Sequence, residues 1–274
     1  MYNVVVNIKR TSGGIDMTTQ EQRRRYLIQT LLAEDKRLSR VQIPENEDEQ
    51  EKMLRTLVNI RPPKAISKEF LEVQDAYLQT KLADKTLITP EDLTKKGDNL
   101  YLWRGDITNL KVDAIVNAAN NQLLGCFVPN HSCIDNAIHT FAGVQLREEC
   151  FELMQQKGHP EETGRAEITK GYNLPSKYVI HTVGPIVSGE LTKEHERLLA
   201  SSYRSCLELA QANGLKSIAF CCISAGVFNF PNERAAQIAV ETTKEFLKEN
   251  NSEMKVIFNV FKEDDEKIYT KLLK

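Results

Sequence analysis

The sequence predicts an α/β fold, with helices on both faces of a mixed sheet and a small helical segment in front. Three observations carry this reading. From Gly97 onward short apolar, β-branched runs alternate with longer amphipathic ones, the rhythm of strands connected through helices. Two of the runs, Ala114-Ile115-Val116 and Ile218-Ala219-Phe220-Cys221-Cys222-Ile223, are apolar throughout, as a strand covered on both faces requires. Residues 1–97, by contrast, hold no cysteine and few β-rich runs. The chain has 274 residues, 41% hydrophobic and 27% charged, which is enough apolar material for a real core in one large domain or two unequal ones.

The elements follow in order. The first helix starts after Thr18-Thr19, with Gln22 placed for a capping box and Leu27, Leu31 and Leu32 at helical spacing. The second follows Pro44, runs through Met53, Leu54, Leu57 and Ile60, and stops at Pro62-Pro63. The acidic run from Glu45 to Glu51 suits the dipole of its first turn. The third begins near Ser67 and carries Phe70, Leu71, Ala76, Tyr77, Leu78 and Leu82, and a short turn follows Thr89-Pro90. These helices read as a cap without chemistry of its own, spanning residues 1–97. Beyond it, over 98–274, strands are expected at 100–104, 114–117, 166–169, 178–182, 217–223 and 255–260. Helices are expected at 135–156, 192–213, 232–250 and 263–273.

Composition excludes several classes of function. Lys plus Arg number 36 and Asp plus Glu 38, so a net charge of -2 gives no support for non-specific binding of nucleic acid or an anionic membrane. No apolar run approaches a membrane span, and Met1 to Arg10 lacks a signal-peptide pattern. The expectation is a cytoplasmic monomer whose six cysteines stay reduced.

Four stretches could carry chemistry. Asp106, in Gly105-Asp106-Ile107-Thr108, follows the first long strand, where an open α/β sheet binds ligands. Its carboxylate can accept from an amine, or simply cap the turn. Asn117, Asn120 and Asn121 cluster after the apolar strand, offering donors and acceptors suited to ribose hydroxyls, or forming a polar loop. Cys126, His131 and Cys133 are spaced C-x4-H-x-C in a Pro-bearing loop ahead of a helix start at Asp135. Thiolates and imidazole are zinc ligands, and three protein ligands leave a coordination position open, the arrangement of catalytic zinc. Ser224-Ala225-Gly226-Val227-Phe228 forms a small-residue loop whose backbone N–H groups can cradle a diphosphate, with Phe228 or Phe230 able to stack on a ribose or base. Cys221 and Cys222, adjacent on a strand, are read as packing residues, as are His139 and His181, while His159 and His195 are read as surface residues.

These stretches in this order, with Thr163-Gly164-Arg165-Ala166, Gly171-Tyr172-Asn173-Leu174-Pro175 and the run from Val179 to Pro185 between them, resemble the macrodomain family over residues 98–274. The Cys126-His131-Cys133 insertion is similar to the zinc-containing microbial subclass, whose members carry a helical N-terminal extension and remove mono-ADP-ribose from proteins. The resemblance implies a three-layer α/β/α fold, one zinc ion per chain, and ADP-ribose on a modified protein as the substrate. It implies that Asp106 and Ile107 hold the adenine, Asn120 the distal ribose, Cys126, His131 and Cys133 the zinc beside that ribose, and Ile134 and Asp135 the diphosphate entrance. Asp135 is a candidate base, and Ser224, Ala225, Gly226, Val227 and Phe228 would wrap the phosphates. One residue departs from the family pattern: Ala225 stands where the phosphate loop usually has Thr, so a hydroxyl contact is lost. A non-catalytic ADP-ribose reader with a structural zinc is the alternative.

Overall fold

The computed structural model describes residues 18–274, together with the backbone of residues 10–11 and 14–15. The latter form a short antiparallel pair, β1 (Arg10–Thr11) with β2 (Gly14–Ile15). The expectation that Met1 to Arg10 carry no leader lies outside the fully described residues.

Three helices come first. In α1 (Gln20–Ala33) the expected capping box is present: the Thr19 side chain accepts from the Gln22 N–H, and the Gln22 side chain accepts from the Thr19 N–H. Asn46 caps α2 (Glu47–Ile60), whose first turn holds Glu47, Asp48 and Glu49, favourable charges at the positive end of the helix dipole. Ser67 caps α3 (Lys68–Ala83). Leu27, Ile28, Leu31, Leu54, Leu57, Phe70, Val73 and Tyr77 form a core between these helices, which Val144 joins from the rest of the chain.

The remainder is a three-layer α/β/α unit. Its strands are β3 (Leu100–Arg104), β4 (Ala114–Ala118), β5 (Ala166–Lys170), β6 (Tyr178–Thr182), β7 (Ser217–Phe220) and β8 (Lys255–Val260), in the order β3-β8-β7-β4-β6-β5. All neighbours are parallel except β5, which pairs antiparallel with β6 at the edge. Ala114 sits opposite both Tyr178 and Ile218, and Ile115, Val116 and Ile218 are wholly buried, so the two apolar runs are the central strands. On one side lie α6 (Lys193–Ala212), α7 (Asn232–Glu249) and α8 (Glu263–Leu272); on the other lie α4 (Ile134–Ala142) and α5 (Val144–Lys157), with α2 packed on α4. Among the described residues no helix is long and apolar enough to cross a membrane.

Two expected elements differ. The helix expected over 135–156 is broken at Gly143, where φ is 99°. A side chain there would collide with Gln74, whose Oε1 accepts from the Val144 N–H at 3.0 Å, so α3 occupies the break. The strand expected over 217–223 ends at Phe220, because Ile223 N–H turns back to the Cys221 carbonyl and Ser224 adopts a φ of 63°.

Candidate functional site

The carboxyl ends of β3, β7 and β8 and the outer face of α4 enclose a cleft of about 470 Å³. An open α/β sheet places its ligand site at this end. Six expected residues line it: Asp106, Ile107, Cys133, Ile134, Ala225 and Gly226. Asp106 caps the turn that follows β3. Its Oδ1 accepts from the Thr108 N–H and hydroxyl, while Oδ2 is 4.0 Å from Lys85 Nζ.

The loop after β7 exposes backbone donors. Gly226 and Val227 are exposed, and their N–H groups make no hydrogen bond within the chain among the described residues. Ser224 is turned inward, its hydroxyl buried without a partner against Gly184. Phe228 is half-buried outside the cleft, and Phe230 is 1% exposed in the core, which corrects the idea that Phe230 could stack on a ligand. An aromatic ring is supplied instead by Phe261, 77% exposed at the cleft. Lys262, Asn259 and Arg55 also line it, and none was selected from the sequence. Each lies far along the chain from the motifs it joins. Cys222 lines the cleft too, with its thiol pushed up by burial, so it remains a neutral wall.

Cys126, His131 and Cys133 come together, their donor atoms all within 4.8 Å of one another. Cys126 Sγ lies 3.5 Å from His131 Nδ1. Around one tetrahedral zinc, with bonds of about 2.3 Å to sulfur and 2.0 Å to nitrogen, such donors stand about 3.5 Å apart. The donor set and its spacing therefore fit the ion. Cys133 also caps α4, its sulfur accepting from the Asn136 N–H at 3.4 Å, and it alone of the three lines the cleft. Burial pushes the Cys133 thiol up to about 11, so a cation is what would make it a thiolate at neutral pH. Asn120 folds its amide onto the same loop, donating to the Gly125 carbonyl at 3.0 Å and accepting from the Gln122 N–H. It braces the loop's entry and is not among the residues lining the cleft.

Asp135 points the other way. One position after Ile134 on α4, it faces the sheet, 5% exposed, and accepts from Asn117 Nδ2 at 2.8 Å. Burial pushes its carboxyl up to about 6. Behind it, His139, Cys150 and His181 form a second close group of metal-ligating types, wholly buried. Asn117 shares its two N–H bonds between Asp135 and His181 Nδ1, so Nε2 carries the proton and donates to Thr169 Oγ1 at 2.9 Å. Wholly buried and hydrogen-bonded at both ring nitrogens, His181 is packed into the core as the sequence suggested. His139 is packed but not satisfied: neither ring nitrogen has a partner.

Burial holds both histidines neutral, His181 down to about 3 and His139 well below its usual range. Below the ordinary value near 6.5 the unfolded chain takes up protons that the folded chain refuses, so stability falls with falling pH. Asp135, protonated early in the folded chain, offsets one of the two protons below about pH 6. The expected net loss is about 1.4 kcal/mol per pH unit from about pH 6 to pH 5, measured by urea unfolding. Unchanged stability from pH 7 to 5 would refute the neutral pair.

Comparison with known proteins identifies this architecture. The family model described as "Macro domain" matches residues 116–239. A protein-ADP-ribose hydrolase of Treponema medium is 57% identical over 93% of this chain and 99% of its own length. One from Staphylococcus aureus (strain MSSA476) is 48% identical over 92% of this chain and 96% of its own. The chain belongs to the macrodomain family of protein-ADP-ribose hydrolases. Among solved macrodomains, that of Trypanosoma brucei in complex with ADP-ribose covers 80% of this chain and 95% of its own at 35% identity, with a TM-score of 0.64. The Oceanobacillus iheyensis macrodomain with ADP covers 66% of this macrodomain chain and 93% of its own at 40% identity, with a TM-score of 0.59.

Proposed function

We propose that the chain binds ADP-ribose attached to a protein side chain and hydrolyses that attachment, with zinc held by Cys126, His131 and Cys133. The observation that carries this reading is that Cys133 belongs both to the close donor group and to the wall of the cleft. The relatives' shared name, protein-ADP-ribose hydrolase, supports the reaction.

The chain's own residues divide the work. Asp106 accepts from the adenine amine and Ile107 packs beside it, with the exposed ring of Phe261 free to cover the base. The free N–H groups of Gly226 and Val227 bind phosphate oxygens, together with the first N–H groups of α4 at Ile134 and Asp135. Those backbone donors are untouched by the Ala225 replacement. Asn120 keeps the metal loop beside the distal ribose, and holding that sugar still supplies part of the rate. Zinc held by Cys126, His131 and Cys133 would supply a positive centre able to polarise an oxygen of the ribose or of water. Asp135 acts from behind the helix, holding Asn117, rather than as a base in the cleft. The proposal also divides the chain into a helical extension, 1–97, and a macrodomain, 98–274, as their separate apolar clusters support.

The test is to incubate the purified chain with a mono-ADP-ribosylated protein and measure free ADP-ribose, zinc content and ADP-ribose binding. Expected are one zinc per chain, binding, and release of ADP-ribose. The lost hydroxyl at Ala225 favours the reader as second reading, and binding without release would establish it.

A further inference from the structure

The helical extension reaches into the metal loop at three points. Arg55, on α2, donates from Nη2 to the His131 carbonyl at 2.9 Å and to Asn136 Oδ1 at 2.8 Å, and from Nε to the same Oδ1 at 3.2 Å. Asn136 is wholly buried. Its side-chain amide donates to the Val128 carbonyl at 3.0 Å and the Cys126 carbonyl at 3.4 Å, and its N–H donates to Cys133 Sγ at 3.4 Å. One turn along α2, Asn59 Oδ1 accepts from the Asn130 N–H at 3.0 Å. Asn130, with a φ of 53°, donates in turn to Thr56 Oγ1 at 2.7 Å.

Every candidate ligand is thus tied to Arg55 within two hydrogen bonds. His131 is held through its own carbonyl, and the two cysteines through Asn136. No other cationic side chain among the described residues contacts the loop's backbone this way from outside the macrodomain. Arg55 also lines both the cleft and a neighbouring apolar cavity of about 420 Å³ between α2, α3 and α4. A flat guanidinium fork can hold a carbonyl and an amide oxygen at fixed angles; an ammonium cannot.

We propose that Arg55 is a positioning residue of the metal centre, fixing through Asn136 and the His131 carbonyl the geometry in which Cys126, His131 and Cys133 receive a metal ion. The inference rests on reading those three residues as ligands. Partners of this outer kind typically account for 10–100-fold in metal affinity.

The experiment is a competition titration of zinc against a chromophoric chelator, with full-length wild type, Arg55→Ala, Arg55→Lys and Asn59→Ala, plus calorimetry with ADP-ribose and thermal unfolding. Arg55→Ala should bind zinc about 10–100-fold more weakly. Arg55→Lys, which keeps the positive charge in the cleft but not the fork, should lose most of the same zinc affinity while keeping its affinity for ADP-ribose. Wild-type zinc affinity in a folded Arg55→Ala or Arg55→Lys chain overturns the assignment. Should Arg55→Ala not fold, Asn59→Ala carries the same question, since it releases the loop at Asn130 together with the Thr140 hydroxyl on α4; unchanged zinc affinity there also counts against α2 as the loop's support. A wild-type chain that binds no zinc overturns instead the ligand reading on which the inference stands.

Discussion

A Cys126→Ser chain is expected to lose zinc and ADP-ribose release together while still binding free ADP-ribose. Serine oxygen is a harder and weaker zinc ligand than thiolate, and only two protein donors would remain. Outer partners alone cost 10–100-fold in metal affinity, so loss of a direct ligand should exceed about 100-fold. Asp106, Ile107 and Gly226 stand on other elements, so binding of the nucleotide should change little. Cys126 is a half-buried loop residue, and thermal unfolding of the metal-free variant should match that of metal-free wild type. Elemental analysis, release assay and calorimetry on one preparation decide it. Wild-type turnover from a chain shown to be metal-free would remove zinc from the reaction.

Gly125→Ala is expected to damage both the fold and the metal loop. Gly125 has a φ of 81°, and an added Cβ would lie 2.8 Å from Cγ and Cδ2 of the His139 ring. That ring is 2% exposed and cannot swing aside into solvent. Left-handed strain and overpacking together should cost about 2–4 kcal/mol. Gly158→Ala is the control: its φ is 75° but nothing lies within 4 Å of the added atom. It should cost only about 1 kcal/mol. Urea unfolding separates the two, and equal losses would show that the His139 contact contributes nothing. Zinc content should fall in the Gly125 variant alone, because the neighbouring residue is Cys126.

Local features were legible in the sequence. The capping box at Thr19, the helix start near Ser67, the six strands, and the grouping of Cys126, His131 and Cys133 all depend on neighbours within a few positions. Gly143 was visible but its meaning was not, since it is Gln74, on another helix, that occupies the break. The direction of Asp135 could have been found. It shares a helical face with Ile138, His139 and Ala142, all buried, and that spacing marks the inward side. Ile134, on the other face, lines the cleft. What no local pattern could reveal is the link between Arg55 and Asn136, 81 positions apart, or the choice of Phe261 over Phe230 as the exposed ring.

Arg147 of α5 carries one more consequence. This arginine, 5% exposed, donates to the carbonyls of Val58 and Arg61 at the end of α2, and to that of Leu124 at the entry of the loop carrying Cys126, His131 and Cys133. Burial lowers its guanidinium to about 10, which still leaves it charged at neutral pH. Peeling the first three helices away would break these hydrogen bonds to α2 and open the apolar surface around them to water. The two apolar clusters are therefore expected to unfold together, in one thermal transition rather than two. A chain cut at residue 97 should accordingly show a lower melting temperature than the full-length protein.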